Sequence, residues 1–236
     1  MKFALITGAS GGIGQAIAIQ LAQEGWNLYL HYHCQKHVIE KLTEQLAPFK
    51  GEYIPVCGDL STKEGVSHVL NQLFTVDALV YAAGNAPYGL LVDMDDDTIE
   101  RTIELHVLSP LRLVRCLLPK MKNGNIVFIS SIWGQTGAAC EVVYSTVKGA
   151  QISFVKALAK EVASQGVRVN AVAPGAVQTN MLQAFTEDEL RALEEEIPLG
   201  RLAKPEEVAQ AVSYLLSERA SYITGHILSV NGGWYT

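Results

Sequence analysis

Hydrophobic positions along the chain follow two alternating rhythms. Short apolar, β-branched runs occur at Phe3–Thr7, Asn27–Tyr32, Tyr53–Cys57, Ala78–Ala82, Ile126–Ser130, Val167–Ala173 and Ile227–Val230. They lack strict in–out alternation, which is the pattern of strands covered on both faces. Between them, Ile13–Glu24, Lys36–Leu46, Lys63–Leu73, Asp96–Leu105, Pro110–Leu118, Tyr144–Ser164 and Pro205–Leu216 read as amphipathic helices. Strand–helix alternation with right-handed crossovers predicts an α/β fold, a doubly wound parallel sheet of about seven strands with helices on both faces. No linker, repeat or low-complexity tract breaks it, so a single domain over 1–236 is expected.

Local chemistry marks several boundaries. Gly25 fits the residue after a helix end, where the left-handed region favours glycine. Ser109-Pro110 reads as an N-cap followed by proline in the first turn, predicting a helix that restarts just after His106. Thr186-Glu187-Asp188-Glu189 has capping-box spacing, with acids in the first turn.

Composition narrows the function classes. Of 236 residues 49% are hydrophobic and 18% charged, which excludes disorder. Eighteen basic against 24 acidic residues give a net charge of −6, against non-specific binding of nucleic acid or anionic membrane. No apolar run reaches the roughly 18 residues of a spanning helix, and Met1–Ile6 meets a glycine cluster by Gly8, too soon for a secretory signal. Cys34, Cys57, Cys116 and Cys140 form no CxxC and no disulfide framework. A cytoplasmic protein without a metal site is expected.

The first strand runs directly into Gly8-Ala9-Ser10-Gly11-Gly12-Ile13-Gly14 and then a helix. Glycines there let backbone turn tightly against a pyrophosphate, whose charge meets helix-terminal N–H groups. An ordinary strand–helix turn would look similar; the strand before and the helix after favour a dinucleotide. NAD sites usually end the second strand on an acid that takes the ribose hydroxyls. Leu30-His31-Tyr32-His33-Cys34-Gln35-Lys36 has none, and His33 and Lys36 favour NADP(H), with NAD(H) possible. Both histidines read equally well as solvated loop residues. Asp59, after the third strand, is placed either to meet adenine or to cap the next helix.

Tyr144 and Lys148 are spaced i, i+4 on one helix face. A phenol has a pKa near 10, and a neighbouring ammonium lowers it toward working range. Ser131, at a strand end thirteen residues earlier, supplies a hydroxyl for a substrate carbonyl.

Taken together, Thr7–Gly14, Asp59, Ala83-Gly84, Ser131, Tyr144 with Lys148, Pro174-Gly175 with Thr179, and Val230-Asn231-Gly232-Gly233 resemble the classical short-chain dehydrogenase/reductase family, most of all its 3-oxoacyl-[acyl-carrier-protein] reductases. The resemblance covers nearly the whole chain. It implies a Rossmann-type sheet, an NADP(H) cofactor and a homo-oligomer, tetramer or dimer. Tyr144 would donate the proton in ketone reduction, Ser131 polarise the carbonyl, and Lys148 lower the tyrosine pKa and hold the nicotinamide ribose. Gly8, Ser10, Gly12, Ile13, Gly14, His33, Asp59, Ala83 and Gly84 would line the nucleotide, and Pro174, Gly175, Val177 and Thr179 its nicotinamide end.

Two positions depart from the family. Its Asn-Asn-Ala-Gly segment reads Tyr81-Ala82-Ala83-Gly84, which removes two bracing amides. His106 falls where the family has an asparagine that anchors a water in a proton relay behind the lysine. An imidazole titrating near pH 6.5 is expected either to take over that role or to be a helix-kink residue.

Asn180–Gly200 resembles the family's substrate lid, with Phe185, Leu190, Leu193 and Ile197 as an apolar stripe. Glu187, Asp188, Glu189, Glu194, Glu195 and Glu196 stand opposite, against a single Arg191. Such a run is ordinarily a solvated face. An acidic acyl carrier would need a basic rim from Arg112, Arg115, Lys120 and Lys122. A cationic or protein-linked ketone, such as an aminopentanone on elongation factor P, would suit the acidic lid. A nucleotide-binding sensor without turnover is the third reading, motivated by the two departures. Trp234 and Tyr235 would cover either a partner subunit or the chain's own sheet edge.

Overall fold

A computed structural model of the chain describes residues 2–182 and 185–236; Met1, Gln183 and Ala184, the last two within the expected lid, lie outside the described residues. The strands are β1 (Phe3–Thr7), β2 (Asn27–Tyr32), β3 (Tyr53–Cys57), β4 (Ala78–Tyr81), β5 (Asn125–Ile129), β6 (Arg168–Pro174) and β7 (Ile227–Val230). All pairings are parallel, in the order β3-β2-β1-β4-β5-β6-β7. The helices are α1 (Gly12–Gln23), α2 (Lys36–Leu46), α3 (Lys63–Leu70), α4 (Asp96–Ile103), α5 (Ser109–Leu117), α6 (Trp133–Thr136), α7 (Val142–Val162), α8 (Glu187–Glu196) and α9 (Pro205–Leu216).

Both sheet faces are apolar because successive strand residues point opposite ways. Ala4, Ile6, Val80, Val127 and Ile129 pack under α1, α2 and α9, against Ile17, Leu21, Leu42 and Val212. Leu5, Leu79, Tyr81, Ile126 and Phe128 face α3, α5 and α7, against Val69, Leu113, Val155 and Leu158. Strand order reverses direction between β1 and β4, and the carboxyl ends of strands at such a reversal form the crevice where ligands bind.

Gly25 ends the first helical stretch at φ +82°, and Thr186 and Glu189 form the expected capping box on α8. The restart at Ser109 does not occur. A π-helical turn over Glu104–Leu108 joins α4 to α5, and Ser109 is itself helical (φ −64°, ψ −47°). Its hydroxyl donates to Leu60 O at 2.6 Å instead of capping. The extra residue of a π turn loosens the backbone ladder, so Pro110, which lacks an N–H, is absorbed without ending the helix.

Trp234 packs edge-on against Trp133 of its own chain, ring centroids 5.0 Å apart. Among the described residues no helix is long and apolar enough to cross a membrane, and no group of three or more His, Cys, Asp or Glu is arranged to hold a metal ion.

Candidate active site

The first wall of the crevice is the turn from β1 into α1. Gly8 adopts φ +67°, and a Cβ there would stand 2.8 Å from the Ala83 Cα. At Gly14 a Cβ would lie 2.2 Å from Gly8 O, so strand and helix approach as only glycine permits. The α1 N-terminus has no side-chain cap and no acid in its first turn, leaving N–H groups for an anion. Ser10 and Ile13 are half-buried on this turn, and Gly12 faces Thr179, whose Cγ2 would be 2.9 Å from a Cβ. Thr7 Oγ1 accepts from Ala82 N and Ala83 N, both at 3.1 Å, fixing the end of β4 to the turn. These residues form a cradle that fits a dinucleotide pyrophosphate.

His31 is a correction to the solvated-loop reading, being 2% exposed. Its Nδ1 accepts from Gly8 N (3.1 Å) and its Nε2–H donates to Gly58 O (3.1 Å). Burial, the largest influence, lowers its pKa to about 4, so the ring is neutral. His33 is exposed, with Nε2 3.7 Å from Asp59. Asp59 does not cap α3, because Thr62 accepts from Gly65 N. Its Oδ1 instead takes Ser61 N and Oγ at 2.8 and 2.6 Å. Burial raises the Asp59 pKa, but the Ser61 bonds, His33 and Arg101 outweigh it and hold the carboxyl below its usual value.

The chemical centre gathers at the carboxyl ends of β4, β5 and β6. Ser131, Lys148 and His106 are buried and Tyr144 is half-buried. The Tyr144 hydroxyl faces the Ser131 side chain, which favours the ionised phenol, and Ser131 Oγ accepts from Trp133 N at 3.2 Å. Lys148 Nζ donates to Ile129 O at 2.7 Å and lies 5.4 Å from the Tyr144 ring centroid. Gly134 on α6 admits this packing, since a Cβ there would be 2.7 Å from the Lys148 backbone. Pro174 ends β6, Gly175 N donates to Val230 O at 3.0 Å, and Val177 bridges to Ala203.

Two electrostatic expectations change. Burial raises the Tyr144 phenol to about 12, with the Ser131 side chain pulling it down and Glu141 pushing it up. Burial lowers Lys148 to about 7. The amine is thus about half protonated near neutrality and sits over the ring, and it does not bring the phenol down in this state. His106 does not titrate near pH 6.5 either: burial first, then Lys148, holds it well below that. Its ring lies edge-on to Tyr144, centroids 5.9 Å apart, and packs on Gly84. Nε2 faces Asn85, 2.9 Å from its carbonyl oxygen and 3.2 Å from its backbone nitrogen, while Nδ1 is buried without a partner. The lost amides are replaced by Tyr81, whose hydroxyl donates to Leu105 O at 2.5 Å and whose ring stacks on Phe128.

Beside this centre a cleft of about 610 Å³ is lined by Thr179, Phe185, Leu190, Glu187, Glu194 and Arg191, among others, with Arg191 paired to Glu187. The acids therefore do not all stand opposite the apolar stripe: Glu187 and Glu194 share the cleft with Phe185 and Leu190. Ile197 is buried. The expected basic rim is absent. Arg112 pairs with Glu104, while Arg115 lies in the last turn of α5 and Lys120 and Lys122 precede β5, at the amino ends of the strands and opposite Ser131.

Sequence reasoning passed over His31 and Gln151. Gln151 is 2% exposed, and its Nε2 donates to His106 O at 2.9 Å. A buried amide one turn after Lys148 was the available signal.

The family model described as enoyl-(acyl carrier protein) reductase matches residues 8–235. The uncharacterized oxidoreductase YmfI of Bacillus subtilis (strain 168) is 52% identical over 239 residues, covering 99% of both chains. The 3-oxoacyl-[acyl-carrier-protein] reductase FabG of Salmonella typhimurium is 37% identical over 238 residues, covering 99% of this chain and 97% of its own. Among solved structures, the angucycline C-6 ketoreductase LanV with bound NADP superposes with a TM-score of 0.94 at 27% identity, over 99% of this chain and 95% of that one. With the glycine turn, the Ser131–Tyr144–Lys148 group and whole-length similarity in hand, the chain belongs to the short-chain dehydrogenase/reductase family of oxidoreductases.

Proposed function

We propose that the chain is an NADP(H)-dependent ketoreductase. The observation that carries this reading is the Ser131 and Tyr144 side chains facing one another with Lys148 Nζ over the same ring, beside the glycine turn. NADPH, when bound, supplies a hydride to the carbonyl carbon. Tyr144, held protonated, gives its phenolic proton to the carbonyl oxygen, as reduction requires. Ser131 Oγ–H donates to the same oxygen and stabilises its developing charge, a contribution of about 3 kcal/mol in comparable sites. Lys148 and the turn residues Gly8, Ser10, Gly12, Ile13 and Gly14 hold the cofactor, with Ala83 and Gly84, and Pro174, Gly175, Val177 and Thr179 flank its reactive end. The lack of an acid after β2, with His33 and Lys36 there, supports NADP(H) over NAD(H), as does the NADP carried by LanV.

Similarity to 3-oxoacyl-[acyl-carrier-protein] reductases supports a 3-oxoacyl substrate. A second reading rests on the cleft: Arg191 there is paired with Glu187, which leaves Glu194 beside Phe185 and Leu190 to suit a ketone that carries positive charge or is linked to a protein. The stretch 180–200 acts as its lid. Exposed Ile103, Leu108 and Leu111 on the α4–α5 side support a homo-oligomer, and the cysteine usage supports a cytoplasmic setting.

NADPH oxidation with 3-oxoacyl thioesters and aminoketones tests the proposal. Tyr144→Phe is expected to lose on the order of 10²-fold or more in kcat while still binding NADPH by fluorescence. Equal turnover by both proteins, or none by either despite tight NADPH binding, overturns the enzyme reading in favour of a sensor.

A further inference from the structure

We propose that Gln151 is a positioning residue of the active site, its side-chain amide standing behind Lys148 where the family relay places a water. The inference rests on the ketoreductase reading above. Lys148 and Gln151 are three residues apart on α7, so both point from one helix face into the space beneath the π turn. Lys148 Nζ donates to Gln151 Oε1 at 3.4 Å, and Gln151 Nε2 donates to His106 O at 2.9 Å. The His106 carbonyl can only accept, so it fixes the amide N–H on its side and leaves Oε1 for the lysine amine.

The partner carbonyl is available for a reason in the sequence. In a regular helix His106 O would take the N–H of residue 110, and Pro110 has none. Tyr81, through Leu105 O, holds the π turn against the sheet. The His106 ring is turned to Asn85, so it is the main-chain oxygen of this residue, through Gln151, that reaches toward the lysine. The titratable groups facing Lys148 are Tyr144 on its own helix and His106 on the π turn. With Gln151 and Ile129 O behind it, the amine is held by fixed protein dipoles and directed at the Tyr144 side. A fixed amide does not exchange with solvent, so proton resupply to Lys148 comes from the cofactor side.

The test follows Lys148 itself. Protein labelled with ¹³C-ε-lysine is titrated without nucleotide, the Lys148 signal being assigned by its loss in Lys148→Arg. Gln151→Leu removes the acceptor and is expected to lower the Lys148 midpoint. Gln151→Glu, nearly isosteric, is expected to raise it by a unit or more. Both variants should bind NADPH within about threefold of wild type, and the basic limb of the kcat profile should move with the lysine. If Gln151→Leu does not fold, Gln151→Glu decides alone. An unmoved Lys148 midpoint in the folded variants overturns the proposal and leaves Gln151 as packing. If no ketone is turned over even by wild type, the ketoreductase reading fails, while the lysine titration still judges Gln151.

Discussion

Lys148 carries an amine into a place water does not reach, and burial lowers its pKa from 10.5 to about 7. Between those limits the unfolded chain binds a proton that the folded chain does not, so folding stability rises with pH across the window and is at its lowest below it. A shift of this size corresponds to on the order of 5 kcal/mol. Lys148→Met should therefore abolish turnover while gaining stability relative to wild type as pH falls from 10.5 to 7, with no further change below. Urea midpoints of the two proteins across that range provide the measurement; a constant difference would mean that the lysine keeps its charge inside the fold.

At the scale of elements, the turn from β1 to α1 depends on Gly14, where a Cβ would meet Gly8 O at 2.2 Å and Ala9 Cα at 2.8 Å. Gly14→Ala must push α1 away from the strand, at about 1–3 kcal/mol of stability, and NADPH affinity by fluorescence titration should fall at least tenfold. Gly11→Ala is the control, since its nearest neighbour would be 3.4 Å away and its backbone is extended; near-wild-type affinity is expected. Strands and helices were legible in the sequence because a sheet covered on both faces leaves long apolar runs between amphipathic stretches. The glycine turn was legible because it joins a strand end to a helix start, and Tyr144 with Lys148 because i, i+4 spacing puts both on one helix face. The π turn was not: Ser109-Pro110 carries the local signature of a helix start, and what overrides it is packing onto Leu60, 49 residues away. His31 and Gln151 escaped for the same reason, their partners being 23, 27 and 45 residues distant.

For the molecule as a whole, the net charge of −6 is distributed unevenly with respect to the cleft. Glu187 and Glu194 line it against a single Arg191, while Lys120 and Lys122 lie at the amino ends of the strands. An amine-bearing ketone should be drawn in by this field and a neutral 3-oxoacyl thioester should not. Shortening the Debye length from roughly 30 Å to about 8 Å with salt is expected to lower kcat/KM severalfold for the first and leave the second unchanged; an identical response of both would remove the case for a cationic substrate. The bridge made by His31 bears on the opposite flank. By taking an N–H from Gly8 and giving one to Gly58, this single ring on β2 sets the gap between the loops that follow its two flanking strands, β1 and β3. A graft over residues 33–36 meant to retune nucleotide preference therefore succeeds only while His31 stays in place, because the spacer belongs to the strand and not to the exchanged segment.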